Sequence, residues 1–327
     1  MTLTQQDLQQ LIHEIPDMQF AEGVDCAWQS SLLAQAYLDH YGINFAKQYE
    51  QLKHGFGYVN TSNFHIATHY WLPSRARGTL LVMHGYYDHI GIFGNAIRFA
   101  LDHNFAVLAF DLPGHGLSSG EPGVIDSFDE YGDVLAEILQ QSAVIMPQTL
   151  YAMGQSTGCA VLLNYLWRYV IAKNGKDPFE KLALCSPLVL PRAWRGWHMG
   201  RHVHATLRHF IQRVARRFSS NSHDLKFLDF IQHQDPLQTR HLSLRWISAM
   251  KAWHKTFLGL SPLHKNILVV QGTDDMTVDW QYNLSLIKRK LPDAEIIYIE
   301  DAGHQLVNES ERYRRDVFAA IEQYFFN

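Results

Sequence analysis

The stretch Leu150-Tyr151-Ala152-Met153-Gly154-Gln155-Ser156-Thr157-Gly158 decides how this chain is read. Its first four residues form an apolar run of strand length, and the helical run Ala160-Val161-Leu162-Leu163 follows the second glycine. A serine on a sharp strand-to-helix turn needs small residues two before and two after it, because the strained backbone draws neighbouring chain close. Gly154 and Gly158 meet that need, so Ser156 is predicted to project into a cleft at a helix N-terminus. G-x-S-x-G alone is a common turn sequence; the strand-turn-helix context makes Ser156 a candidate nucleophile.

A serine hydroxyl is a weak nucleophile near neutral pH and needs a base, which in turn needs an orienting acid. The expected chain order is Ser, acid, His. After the apolar run 267–270 comes Q-G-T-D-D-M-T-V-D, and after 296–299 comes E-D-A-G-H-Q-L-V-N-E. Both place polar residues past the C-terminal edge of a strand, where ligands bind in open α/β sheets. His304 is the predicted base. Asp275 is favoured as the acid, since it stands third after Gly272 where the chain has cleared the strand. Asp274 is the alternative and otherwise reads as a turn or cap residue. The developing oxyanion needs two backbone N–H donors. Thr157, directly after the serine, supplies one; Tyr86, in the H-G-Y-Y-D-H loop after the run 80–83, supplies the other.

Outward from these blocks, short apolar runs alternate with longer helical patterns from residue 64 onward. Strands are predicted at 64–72, 79–83, 106–110, 150–153, 182–185, 267–270 and 296–299, and helices at 91–103, 127–145, 157–172, 280–291 and 310–325. The alternation predicts an α/β fold, a mainly parallel sheet with helices on both faces. Two regions break the rhythm. Residues 1–60 read as an N-terminal helical extension, with Trp28, Leu32, Leu33, Ala36 and Tyr37 at helical spacing. Residues 187–264, rich in Trp, His and Arg, are too long for a plain crossover and read as an inserted helical cap. That leaves 61–186 and 265–327 as the core.

Composition excludes several classes. Of 327 residues, 47% are hydrophobic and 18% charged, which rules out a disordered chain. The net charge of −4 argues against nucleic-acid binding. Cys26, Cys159 and Cys185 show no C-x-x-C pattern, and the 19 histidines have no H-E-x-x-H spacing, so neither disulfides nor a metal site is expected. No apolar run reaches the roughly 18 residues of a membrane span. The first twenty residues lack a secretory pattern, so a cytoplasmic location is expected.

Four blocks carry a family resemblance: L-V-M-H-G-Y-Y-D-H-I-G-I-F, F-A-V-L-A-F-D-L-P-G-H-G-L-S-S-G, A-M-G-Q-S-T-G, and I-L-V-V-Q-G-T-D-D-M-T-V-D with A-G-H-Q-L-V-N-E. Together they resemble the α/β-hydrolase superfamily, in the branch of monoacylglycerol lipases, lysophospholipases and serine aminopeptidases. The resemblance implies a cofactor-free serine hydrolase forming an acyl-enzyme on Ser156 and releasing it with water activated by His304. Gln155 and Thr157 depart from the His and Met frequent around the nucleophile in that branch. The substrate expected is a small lipid ester, a lysophospholipid or monoacylglycerol. A small-ester carboxylesterase, thioesterase or aminopeptidase on the same triad is the alternative, and a non-catalytic binding protein on this scaffold the alternative of another class.

The cap bears on that choice. From residue 192 to 218 there are seven arginines and no acidic residue, so the rest of the chain is markedly acidic. Leu207, Phe210, Ile211, Val214 and Phe218 would share one helical face, flanked by Arg213, Arg216 and Arg217. Such a helix, with Trp194 and Trp197 nearby, suits peripheral contact with an anionic membrane on its inner face. An ordinary lid helix with solvated arginines reads equally well. Arg213, Trp194 and Trp197 are the substrate or lid candidates.

Overall fold

The computed structural model describes residues 3–21, 23–173, 175–192 and 212–326, and the elements are those of these described residues. The strands are β1 Lys53–Asn60, β2 His65–Leu72, β3 Thr79–Met83, β4 Ala106–Phe110 and β5 Leu150–Gln155. They continue with β6 Phe179–Cys185, β7 Arg213–Ala215, β8 His241–Ser243, β9 Leu268–Gly272 and β10 Glu295–Ile299. Eight of them form one sheet in the order β1-β2-β4-β3-β5-β6-β9-β10. β1, β2 and β4 pair antiparallel, and the remaining pairs are parallel.

A parallel sheet covered on both faces needs apolar residues on both, which is why its strands read as continuous apolar runs. In β3, Leu81 and Met83 enter one core and Leu80 and Val82 the other; in β4, Leu108 and Val107 divide in the same way. The helices are α1 Gln5–Glu14, α2 Leu32–His40, α3 Gly94–Asp102, α4 Phe128–Ser142, α5 Thr157–Tyr165, α6 Leu225–Asp229, α7 Leu244–Gly259, α8 Trp280–Lys290 and α9 Glu311–Phe326. One face carries α4, α5, α7 and α8, and the other carries α1, α2, α3 and α9. A capping box between Ser127 and Glu130 starts α4. A π-helical segment, Leu166–Ile171, prolongs α5, so the predicted 157–172 helix changes its winding midway.

Residues 1–60 need a correction. The last eight are not helical: β1 is the sheet's edge strand, paired along its full length with β2. Its glycines disguise it in sequence, and Gly55 is required because a Cβ there would run into the Tyr70 ring. Nor does the preceding segment stand apart from the core. Tyr58 donates to Pro16 O at 2.7 Å, and Leu11, Tyr37 and Leu38 are fully buried in the layer that holds Phe56 and Trp71.

The cap region is partly β. Arg213–Ala215 pairs antiparallel with His241–Ser243, so the amphipathic helix expected through 213–218 is not formed there; 207–211 lie outside the described residues. Local periodicity misleads because the partner strand lies some 28 residues further on, and tertiary pairing overrides local preference. No helix among the described residues is long and apolar enough to cross a membrane.

Candidate active site

The site lies at the C-terminal ends of β3, β5, β9 and β10, where the loops converge. Ser156 leaves β5 with φ +54° and ψ −111°. For a residue with a Cβ this left-handed backbone costs on the order of 1–3 kcal/mol and persists only when its surroundings hold it. Here its N–H donates to Cys185 O at 2.9 Å, and its carbonyl accepts from Cys159 N at 3.1 Å and Leu188 N at 3.2 Å. The flanking glycines are sterically required. A Cβ on Gly154 would lie 2.8 Å from Cys159 N, and one on Gly158 would lie 2.5 Å from Met83 O.

His304, in the loop after β10, is buried, and its Nδ1 lies 2.7 Å from Asp275 Oδ2. Asp275 is fully buried. Its Oδ1 accepts from Thr277 N at 2.8 Å and Val278 N at 3.1 Å, and its Oδ2 also accepts from Gln271 Nε2 at 3.1 Å. Burial alone would push its pKa up, but the His304 charge and hydrogen bond and the two amides more than offset this and hold it below the ordinary carboxylate value. An ionised carboxylate only accepts, so His304 Nδ1 carries the proton and Nε2 is left as the basic nitrogen. Asp274 is exposed, and Asp279 caps α8 through Tyr282 N; the structure brings neither to His304.

Ser156, Thr157 and His304 line one cavity of about 230 Å³ together with Tyr86 and Tyr87. The loop bearing Tyr86 is pressed onto the serine turn, since a Cβ on Gly85 would lie 3.2 Å from Ser156 Cβ. The Tyr86 ring stacks on Trp246 with centroids 4.0 Å apart, and its hydroxyl donates to Gly123 O at 2.8 Å. Leu188, Leu242, Ile247 and Met250 make an apolar wall. A larger cavity of about 800 Å³ between α2 and α6 contains neither Ser156 nor His304.

Several residues in and around this cavity had no catalytic role in the sequence reading. Gln155 Nε2 donates to the His304 carbonyl at 2.7 Å, tying the serine turn to the histidine loop. Asp88 and Gln305 meet in the wall, with Gln305 Nε2 3.0 and 3.1 Å from the two carboxyl oxygens. Their signal was adjacency: Asp88 follows the Tyr86 loop, and Gln305 follows the histidine. Arg216 and Arg217 line the cavity, whereas Arg213 is drawn outward to pair with Glu121. Trp194 and Trp197 lie outside the described residues. Among the described residues no cluster of His, Cys, Asp or Glu could hold a metal ion.

A strained serine that shares a cavity with a carboxylate-held imidazole has the parts from which serine hydrolases build their nucleophile. Comparison with known proteins agrees with that chemistry. Residues 74–311 match the family described as serine aminopeptidase, S33. The chain belongs to this hydrolase family. Relatives of this chain include a monoglyceride lipase homolog of monkeypox virus, 22% identical over 82% of this chain and 96% of its own length. Phospholipase YtpA of Bacillus subtilis is 23% identical over 78% of this chain and 97% of its own. Among solved structures, a soluble variant of the Saccharomyces cerevisiae monoglyceride lipase in complex with a substrate analog superposes with a TM-score of 0.68 at 18% identity. That match covers 82% of this chain and 94% of the yeast one. This S33 chain therefore has the α/β-hydrolase fold.

Proposed function

We propose that this S33 hydrolase cleaves carboxylic esters of single-chain lipids, monoacylglycerols or lysophospholipids, through an acyl-enzyme on Ser156. The observation that carries the reading is the shared cavity of Ser156 and the His304–Asp275 pair, walled by apolar side chains. The monoglyceride lipase and phospholipase names of its relatives support the substrate class. Ser156 Oγ attacks the ester carbonyl carbon and passes its proton to His304 Nε2, while Asp275 holds the imidazolium. The oxyanion accepts from the Tyr86 and Thr157 amides, and His304 then protonates the departing alkoxide. Water repeats the sequence on the acyl-enzyme and frees the fatty acid.

An aminopeptidase would have to hold a free ammonium group. Asp88 is the carboxyl nearest to that role, but both its oxygens are engaged by Gln305, and burial pushes its pKa up, toward the neutral form. We further propose that the arginine-rich segment 192–218 draws the enzyme to anionic membrane surfaces. Sedimentation with anionic but not neutral vesicles is expected; equal recovery with both would remove that part.

The testing experiment is a panel of monoacylglycerols, lysophospholipids, short p-nitrophenyl esters and aminoacyl anilides, with Ser156→Ala as the blank. Long-chain glycerol esters should give the highest kcat/KM. Preference for aminoacyl anilides would overturn the reading.

A further inference from the structure

We infer that Arg216 forms an anion-binding subsite beside Ser156, so that the preferred substrate is a phosphate-bearing lysophospholipid rather than a neutral monoacylglycerol; this rests on the ester-hydrolase reading above. The guanidinium is held in place before any ligand arrives. Its carbon lies 4.0 Å from the centroid of the Tyr87 ring and 4.3 Å from that of Phe218, and Nη1 donates to Gln238 Oε1 at 2.6 Å. Nε and Nη2, the side-on edge of the fork, have no acceptor among the described residues, and Arg216 enters no ion pair among them. That edge has the geometry that grips two oxygens of a phosphate at once.

The surroundings favour an anion. Arg217 lines the same cavity, and the Arg240 guanidinium sits 5.0 Å from the Phe218 ring. Burial weakens the hold of Arg216 on its proton, as it must for a cation removed from water, and a ligand anion would relieve that cost. Asp88, the one carboxyl of the wall among the described residues, accepts from Gln305 and acts on Arg216 from a distance without forming an ion pair; burial pushes its pKa up, toward the neutral form, which leaves the guanidinium short of a full counter-charge. The cavity thus has an apolar wall for an acyl chain, a nucleophile, and a cationic end for the head group. A neutral glycerol head would leave Nε and Nη2, which have no acceptor among the described residues, without an anionic partner.

The test compares kcat/KM on 1-oleoyl-lysophosphatidylglycerol and 1-oleoylglycerol in the same mixed micelles. Wild type should favour the phosphate ester. In Arg216→Gln the ratio of the two should fall by about ten- to a hundredfold, the range of a charge-assisted hydrogen bond, chiefly through KM, with Arg216→Lys recovering part of it. A wild-type ratio at or below one, or an unchanged ratio in Arg216→Gln, overturns the subsite. A second measurement does not depend on turnover: calorimetric titration of Ser156→Ala with octyl phosphate, octanol and inorganic phosphate. Octyl phosphate should bind most tightly and lose its advantage over octanol in Ser156→Ala/Arg216→Gln. Equal binding of octyl phosphate and octanol overturns the anion subsite, and equal binding of inorganic phosphate overturns its assignment to a lipid. If no ester is cleaved yet octyl phosphate binds through Arg216, the hydrolase reading falls and the subsite stands.

Discussion

Replacing Asp275 by asparagine separates charge from packing in the site. Oδ1 is fixed as an acceptor by the Thr277 and Val278 amides, so the new NH2 must occupy the position of Oδ2. There it faces two former donors, Gln271 Nε2 and His304 Nδ1. Gln271 can turn its amide over so that its unpartnered Oε1 accepts from the new NH2, but this gives up the bond from its Nε2 to Gly272 O at 2.9 Å. His304 can satisfy the new donor only by moving its proton to Nε2. In the proposed mechanism Nε2 receives the Ser156 proton, and once it carries its own proton it cannot. The fold should lose on the order of 1–3 kcal/mol, the cost of leaving the Gly272 carbonyl without its donor while the other hydrogen bonds are exchanged. Turnover should fall on the order of 10⁴-fold, about 5 kcal/mol of barrier. The assay is kcat on a p-nitrophenyl ester for Asp275→Asn and for the exposed Asp274→Asn, with urea unfolding of each. A loss under tenfold in a folded Asp275→Asn protein, or equal losses in the two variants, would refute the reasoning.

Other perturbations test other parts of the structure. Gly158→Ala places a methyl 2.5 Å from Met83 O, so β3 and the serine turn must separate; fluorophosphonate labelling should fall more than tenfold, with a lowered unfolding midpoint. Leu11→Ala should cost about 2–5 kcal/mol in a single urea transition, because α1 belongs to the main core; an unchanged midpoint would mark the N-terminal segment as separable. The fully buried pair His89 Nε2 to Asp235 Oδ2, 2.9 Å apart, joins the Tyr86 loop to the cap. Burial alone would lower the His89 pKa, but Asp235 holds it above the ordinary value; burial would raise that of Asp235, but His89, Tyr41 and Gln238 bring it down to about 2. The pair therefore stabilises fully between roughly pH 4 and 6.5, and this is lost as pH rises through the raised His89 value or falls toward that of Asp235. The buried neutral His54, His69, His84 and His115 act the other way, gaining stability as pH rises, so the test is the comparison of two proteins. From pH 6 to pH 9 the urea midpoint of Asp235→Asn should rise more, or fall less, than that of wild type; an equal change in both would contradict it.

The central strands were legible because a doubly covered parallel sheet must be written in apolar runs, and the Ser156 turn because its glycines answer a local steric demand. The contact of His304 with Asp275 was legible for a related reason, since each follows its own strand by a few residues. β1 was hidden because Gly55 and Gly57 break the pattern, and what makes it a strand is the Tyr70 ring and the partner β2. β7 was hidden because β8 lies beyond a helix and two turns. Arg216 could be seen as a cation but not as a ligand: its place depends on the sandwich between Tyr87 and Phe218, which exists only once the cap folds onto the β3 loop.

The most direct test of the account is covalent. After reaction with a fluorophosphonate, peptide mapping should find the adduct on Ser156 alone, and Ser156→Ala should lose both the adduct and ester hydrolysis while unfolding at the wild-type urea concentration. An adduct on another residue, or ester hydrolysis retained in Ser156→Ala, would contradict it.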